Sequence, residues 1–202
     1  MLGLHYRTPR AWARQVLSDP PQFLLDHYFC ELKAAAMARR TLRIHGKRRP
    51  GLKPLLNALA DEELEHAAQV ERLIKEKYPW PKAPKGGNAY AQGLRRLASL
   101  EGHGSFLDML LVCSLIEARS AERFRLLADE LRGQALGGFY EDLYASEVNH
   151  YTLFVRLGVD FFGEEQALRR LEELRIGEAN LIRGLPALPR MHYGCADFET
   201  AE

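Results

Sequence analysis

Two Glu-x-x-His motifs stand out among the residue types able to do chemistry: Glu63-Leu-Glu-His66 and Glu147-Val-Asn-His150. Three positions apart on a helix, a carboxylate and an imidazole lie on one face and reach the same ion. With 19 Glu and 7 His in the chain, roughly 0.7 such spacings arise by chance, so a single copy carries no weight. The stronger signal is repetition. Glu31 precedes Glu63 by 32 residues and Glu117 precedes Glu147 by 30. The same half-site therefore occurs twice: a Glu on one helix, then Glu-x-x-His on the next.

Each acid interrupts the apolar stripe of its own helix, where a surface carboxylate would not sit. The stripe through Glu63 reads Leu52, Leu56, Leu59, Glu63, His66, Val70, Leu73, and that through Glu147 reads Tyr140, Leu143, Tyr144, Glu147, His150, Tyr151, Phe154. Glu117 lies among Phe106, Leu110, Cys113, Ala121 and Phe124, and Glu31 among Leu24, Tyr28, Ala35 and Leu42. Buried carboxylates without partners cost several kcal/mol each, so they must take up protons or bind cations. Two ferrous ions balance four carboxylates, and His66 and His150 add one nitrogen to each metal. Such a donor set suits iron or manganese, and the absence of a Cys-x-x-Cys pair disfavours a structural zinc site.

The elements that must position these residues are long helices. Thr8-Pro9 reads as N-cap and first position of a short helix through Leu17. Core helices are expected at about 20–45, 52–77, 105–132 and 136–157, the last capped by Gly158, with a C-terminal helix at 164–183. No stretch alternates as a strand does, so the chain reads as all-α. A connection of roughly 27 residues, rich in Pro and Gly, separates the second and third core helices. One such crossover marks a ferritin-like four-helix bundle, here with additional flanking helices.

At 202 residues, 47% hydrophobic and 27% charged, the chain is expected to form a single domain over 1–202 and is neither membrane-spanning nor disordered. No signal pattern opens it, and three widely spaced cysteines (Cys30, Cys113, Cys195) suit the reducing cytoplasm.

From Arg39 to Lys53 runs a segment with seven basic residues, Arg39, Arg40, Arg43, Lys47, Arg48, Arg49 and Lys53, and no acid, in a chain of net charge +1. Some of this charge complements a helix C-terminus, and the rest makes a phosphate-contact surface. Arg95-Arg96, and Lys82 with Lys85, extend it. Among the remaining histidines (His5, His27, His45, His103, His192), none has a carboxylate at useful spacing. His27, one turn before Glu31, is placed to line the pocket but is expected rather to pack in the core, as are Cys30, Cys113 and the tyrosines Tyr28, Tyr140, Tyr144 and Tyr151. Glu62, Glu65 and Glu71 read as a solvated face, and Glu122 as a partner for Arg119 or Arg123.

The segments Cys30-Glu31-Leu32-Lys33-Ala34-Ala35, Leu59-Ala60-x-Glu62-Glu63-Leu64-x-His66, Tyr90-Ala91-x-Gly93-Leu94-Arg95-Arg96-Leu97, Ile116-Glu117-Ala118-Arg119-Ser120-x-Glu122-Arg123-Phe124 and Phe139-Tyr140-(x)6-Glu147-x-x-His150-Tyr151 resemble the MiaE family. These are di-iron tRNA hydroxylases acting on 2-methylthio-N6-isopentenyladenosine beside the anticodon. The likeness runs from the first helix to about residue 183; the basic turn at Lys47–Lys53 and the tail beyond Pro189 lie outside it. It implies O2-dependent hydroxylation of the isopentenyl side chain at two irons. It also implies tRNA as partner and a separate electron-donating reductase, since no flavin or nicotinamide fingerprint is present. Three other readings share parts of this pattern: a di-iron oxygenase or oxidase of another substrate, a ferritin-like iron store, and a non-catalytic RNA-binding module.

Overall fold

The computed structural model describes residues 2–82, 87–98 and 104–196. Pro84, Lys85, Gly86, His103 and part of the long connection fall outside the described residues. Seven α-helices occur among those described: α1 Ala11–Leu17, α2 Pro20–His45, α3 Leu52–Lys77, α4 Ala89–Leu97, α5 Gly104–Glu130, α6 Ala135–Phe162 and α7 Glu164–Arg183. The described residues contain no strand, and the tail carries only an isolated bridge between Ala187 and Gly194. None of the described helices is long and apolar enough to cross a membrane.

The chain divides into two compact units. One comprises Val16–Lys85 and Pro189–Met191; the other comprises Met1–Gln15, Gly86–Leu188 and His192–Glu202.

The first unit is built on α2 and α3, packed against each other. Pro20 and Pro21 occupy the first helical turn of α2, where no amide hydrogen is needed. Asp19 caps that turn by accepting from the Gln22 amide at 3.4 Å. A single 3-10 turn, Gly46–Arg48, leads toward α3, a connection short enough to fold the two helices into a hairpin. At its far end α3 stops at Tyr78, which is extended (φ −141°, ψ 150°) before Pro79, as steric conflict with a following proline requires.

The second unit pairs α5 with α6 and adds α4 and α7. Its core gathers Tyr90 and Leu94 of α4, Leu107, Leu111 and Leu115 of α5, and Ala167, Leu171, Leu174 and Ile182 of α7. Asn88 caps α4 through the Ala91 amide at 2.9 Å. Two boundaries differ from the sequence reading. Helix α6 runs through Gly158 to Phe162 and stops at Gly163, whose φ of +82° is the left-handed conformation that favours glycine. Gly158 serves close approach instead: a Cβ there would lie 3.4 Å from both Leu107 Cδ1 and Leu111 Cδ2 of α5. Thr8 is not the cap of α1, which begins at Ala11. Its amide and hydroxyl both donate to Glu122, at 3.1 and 2.7 Å, a stronger use of two donors than a cap.

Ordered charge ties this unit together. Arg119, fully buried on α5, donates Nε and one terminal nitrogen to the two oxygens of Glu178 on α7, at 2.9 and 2.8 Å. Its other terminal nitrogen reaches Glu122, the Tyr6 carbonyl at 3.0 Å and Thr8 Oγ1 at 3.1 Å. Burial disfavours the guanidinium charge, yet Glu122 and Glu178 outweigh that and raise its pKa. Tyr90 of α4 donates its hydroxyl to Glu178 at 2.9 Å and stacks on His192 of the tail, ring centroids 4.9 Å apart.

Candidate metal centre

In the first unit, Glu31 on α2 and Glu63 and His66 on α3 are all buried, Glu63 completely. Each of the three offers a ligand atom within 4.8 Å of the others. His66 Nδ1 lies 3.8 Å from a Glu63 oxygen and 3.9 Å from Glu31 Oε2. Those separations exceed a hydrogen bond, and they allow one ion to touch both groups. The hairpin explains the convergence: Glu63 and His66 share the α3 face that also buries Leu59, Ala67 and Val70.

The second unit repeats the arrangement. Glu117 on α5 and Glu147 and His150 on α6 are buried, and their ligand atoms also lie within 4.8 Å of one another. His150 Nδ1 stands 3.9 Å from Glu147 Oε2, matching the spacing in the first triad. Four carboxylate oxygens and two imidazole nitrogens, all withdrawn from water, form the hard-to-intermediate donor set that first-row divalent metals accept. The donor chemistry of each triad therefore fits an iron ion, and manganese takes the same ligands.

His27 is buried in the core as expected, but it also has the carboxylate partner that the sequence reading denied it. Fully buried on α2, it meets Glu31 Oε1 at 2.6 Å through Nε2. Burial, then the neighbouring His66, pulls its pKa down from 6.5 to about 3, so the ring is neutral. A carboxylate can only accept, so the proton sits on Nε2 and the imidazole donates to Glu31. The signal was available in the spacing: residues 27 and 31 are one helical turn apart on one stripe. His5 also has an acidic partner, Glu172, at 2.6 Å. That contact joins positions 167 apart and leaves no local signal. Cys113 is buried as expected, while Cys30 is half-buried. Tyr140 packs fully buried against Phe124.

Of the basic residues, Arg39, Arg40 and Arg43 are exposed on the last turns of α2, and Lys47, Arg48 and Lys53 are exposed on or just after the 3-10 turn. Arg49 is half-buried and, with burial itself, lowers the pKa of His45. Arg95 and Arg96 are exposed on the last turn of α4.

Residues 2–193 match the family model for MiaE, described as tRNA-(MS[2]IO[6]A)-hydroxylase. The chain belongs to the MiaE family. It is 37% identical over 187 residues to a tRNA 2-(methylsulfanyl)-N(6)-isopentenyladenosine(37) hydroxylase of Pseudomonas putida, covering 93% of this chain and 90% of that one. A protein of the same description from Salmonella typhimurium is 28% identical over 241 aligned positions, covering 95% and 87%. Among solved structures, a Synechococcus protein described as having aldehyde deformylating oxygenase activity superposes with a TM-score of 0.87 at 35% identity, covering 98% of both chains. The fold is thus all-α and ferritin-like, as its helix pattern and crossover foretold.

Proposed function

We propose that this protein hydroxylates the isopentenyl side chain of 2-methylthio-N6-isopentenyladenosine in tRNA, using O2 and a di-iron centre. The observation that carries the reading is the duplicated buried triad, Glu31/Glu63/His66 and Glu117/Glu147/His150, in a chain of the MiaE family. We assign the metal ligands to Glu31, Glu63 and His66 in one triad and to Glu117, Glu147 and His150 in the other, with the chain working as a single domain in the cytoplasm.

Two irons, when bound, would supply the activation of O2 and the insertion of one of its atoms into an allylic C–H bond, while two electrons from a separate reductase and two protons take the other atom to water. The protein supplies the surroundings. Four carboxylates neutralise two divalent cations, and two imidazoles complete the donor set without adding charge. His27 holds Glu31 Oε1 through its Nε2–H, which sets the carboxylate's orientation and leaves Oε2 facing His66. Apolar helix faces around each triad keep water from the reacting carbon. The basic residues from Arg39 to Lys53, with Arg95 and Arg96, bind tRNA phosphates. A base in a single-stranded loop is the least costly to unstack.

A second reading keeps the metals and changes the substrate. It draws on the Synechococcus relative, whose description names an aldehyde activity. Iron-loaded protein, a reductase, O2 and prenylated tRNA decide between them. Mass spectrometry of the digested tRNA is expected to show the nucleoside heavier by one oxygen atom. An unchanged nucleoside alongside turnover of an aldehyde would establish the second reading.

A further inference from the structure

A groove of about 380 Å³ is lined by α2 and α3. Its floor is apolar: Leu32, Ala35 and Ala36 from α2 and Leu64 from α3. Its rim is Arg39, Arg40 and Arg43. The volume falls within the roughly 300–1,000 Å³ of small-molecule sites. Of the three arginines only Arg39 has an acidic partner among the described residues, Asp61 at 3.6 Å with both side chains largely exposed. That contact is worth little and is readily exchanged for a phosphate. Arg40 and Arg43 stand on consecutive turns at the groove's edge, so their guanidinium groups can hold neighbouring phosphates of one strand.

The floor tells more than the rim. Leu32 and Ala35 are one and four positions after Glu31, and Leu64 follows Glu63 directly. Ala35 is thus one helical turn, roughly 5–6 Å, from Glu31, and Leu64 adjoins Glu63 along α3. Ala36 is exposed and contributes only a methyl group, which leaves the floor open above it. A fully paired helix cannot use such a slot, because its bases are stacked inside and only its backbone is presented. An unstacked nucleotide can use both parts at once: an apolar base face on the leucines and alanines, flanking phosphates on the arginines.

Resting on the tRNA reading above, we infer that this groove is the subsite that holds an unstacked nucleotide of the anticodon loop and aligns it with the first triad. Leu32, Ala36 and Leu64 are its specificity-determining residues, and Arg40 and Arg43 its phosphate clamp. The assignment separates two functions that charge alone merges: recognition of any RNA by the basic turn, and recognition of an unpaired nucleotide by the groove.

Fluorescence anisotropy with two RNAs tests it: an anticodon stem-loop carrying the prenylated adenosine, and a fully paired duplex of equal length. Ala36→Trp fills the groove from an exposed helical position. It is expected to weaken stem-loop binding by about tenfold or more while duplex affinity stays within twofold. Arg40→Ala with Arg43→Ala should weaken both RNAs and reduce the stem-loop salt slope by about 1.4, the contribution of two single-strand phosphates. An unchanged stem-loop affinity in Ala36→Trp, or equal weakening on both RNAs, overturns the groove assignment. If wild-type protein still hydroxylates tRNA in that case, the proposed function survives without it. If wild-type protein neither binds nor hydroxylates tRNA, both fall together.

Discussion

Replacing Glu63 by Gln should make the metal-free protein more stable and the metal-loaded protein less so. Glu63 is completely buried, and its ligand oxygen lies within 4.8 Å of that of Glu31. Ionised together, two like charges at 4.8 Å repel by about 3.5 kcal/mol at an effective dielectric constant of about 20, and escaping that by taking up a proton at pH 7 costs about as much. Glutamine keeps the shape and removes that repulsion. Its buried amide returns about 1–2 kcal/mol of the gain through imperfect hydrogen bonding, leaving a net increase of about 2 kcal/mol. In a chain of this size that raises Tm by about 4–8 °C. Ferrous ion must then reverse the order. At a hundred times its dissociation constant, a metal bound only by the native state adds about 2.7 kcal/mol to the wild type. A variant missing one carboxylate gains much less. Anaerobic thermal scans of both proteins, stripped with chelator and then reloaded, read all four values. A metal-free Glu63→Gln protein less stable than metal-free wild type would refute the reasoning, because the carboxylate would then belong to a structural network rather than to a cation site.

Other outcomes follow from the same geometry. Glu147→Ala combined with His150→Ala should lower iron content from two per chain to one or fewer, read by metal analysis after ferrous loading. Glu178→Ala removes both carboxylate contacts of buried Arg119 and the Tyr90 acceptor, so a loss of about 3–5 kcal/mol is expected in chemical denaturation. A loss below 1 kcal/mol would mean that Glu122 alone suffices for Arg119. At Gly158 an added methyl meets Leu107 and Leu111 at 3.4 Å, a tight contact that offsets the helix-propensity gain of alanine. Gly158→Ala should therefore change stability by less than about 1 kcal/mol, whereas Gly158→Leu should destabilise by about 1–3 kcal/mol through overpacking of α5 against α6.

Much of the fold was legible because its signals are local. Asp19-Pro20 and Tyr78-Pro79 punctuate α2 and α3 at the positions where the helices begin and end, since proline restricts its own φ and its neighbour's conformation. The burial of the six acid and imidazole residues was legible for a related reason: each breaks an apolar stripe, and stripes follow from the helical period alone. Gly158 misled because glycine signals two different things. It can end a helix or let another helix approach, and only the neighbour across the contact distinguishes them.

By itself, the amino-acid sequence determined which side chains share a helical face, how often the half-site recurs and where charge accumulates, because these depend on residues a few positions apart. Only the tertiary structure decided which distant groups meet. His5 finds Glu172, Arg119 finds Glu178, and Leu64 closes a groove begun by Leu32, Ala35 and Ala36. Pairings of that kind arise from packing between helices, and no spacing along the chain encodes the rotation of one helix against another.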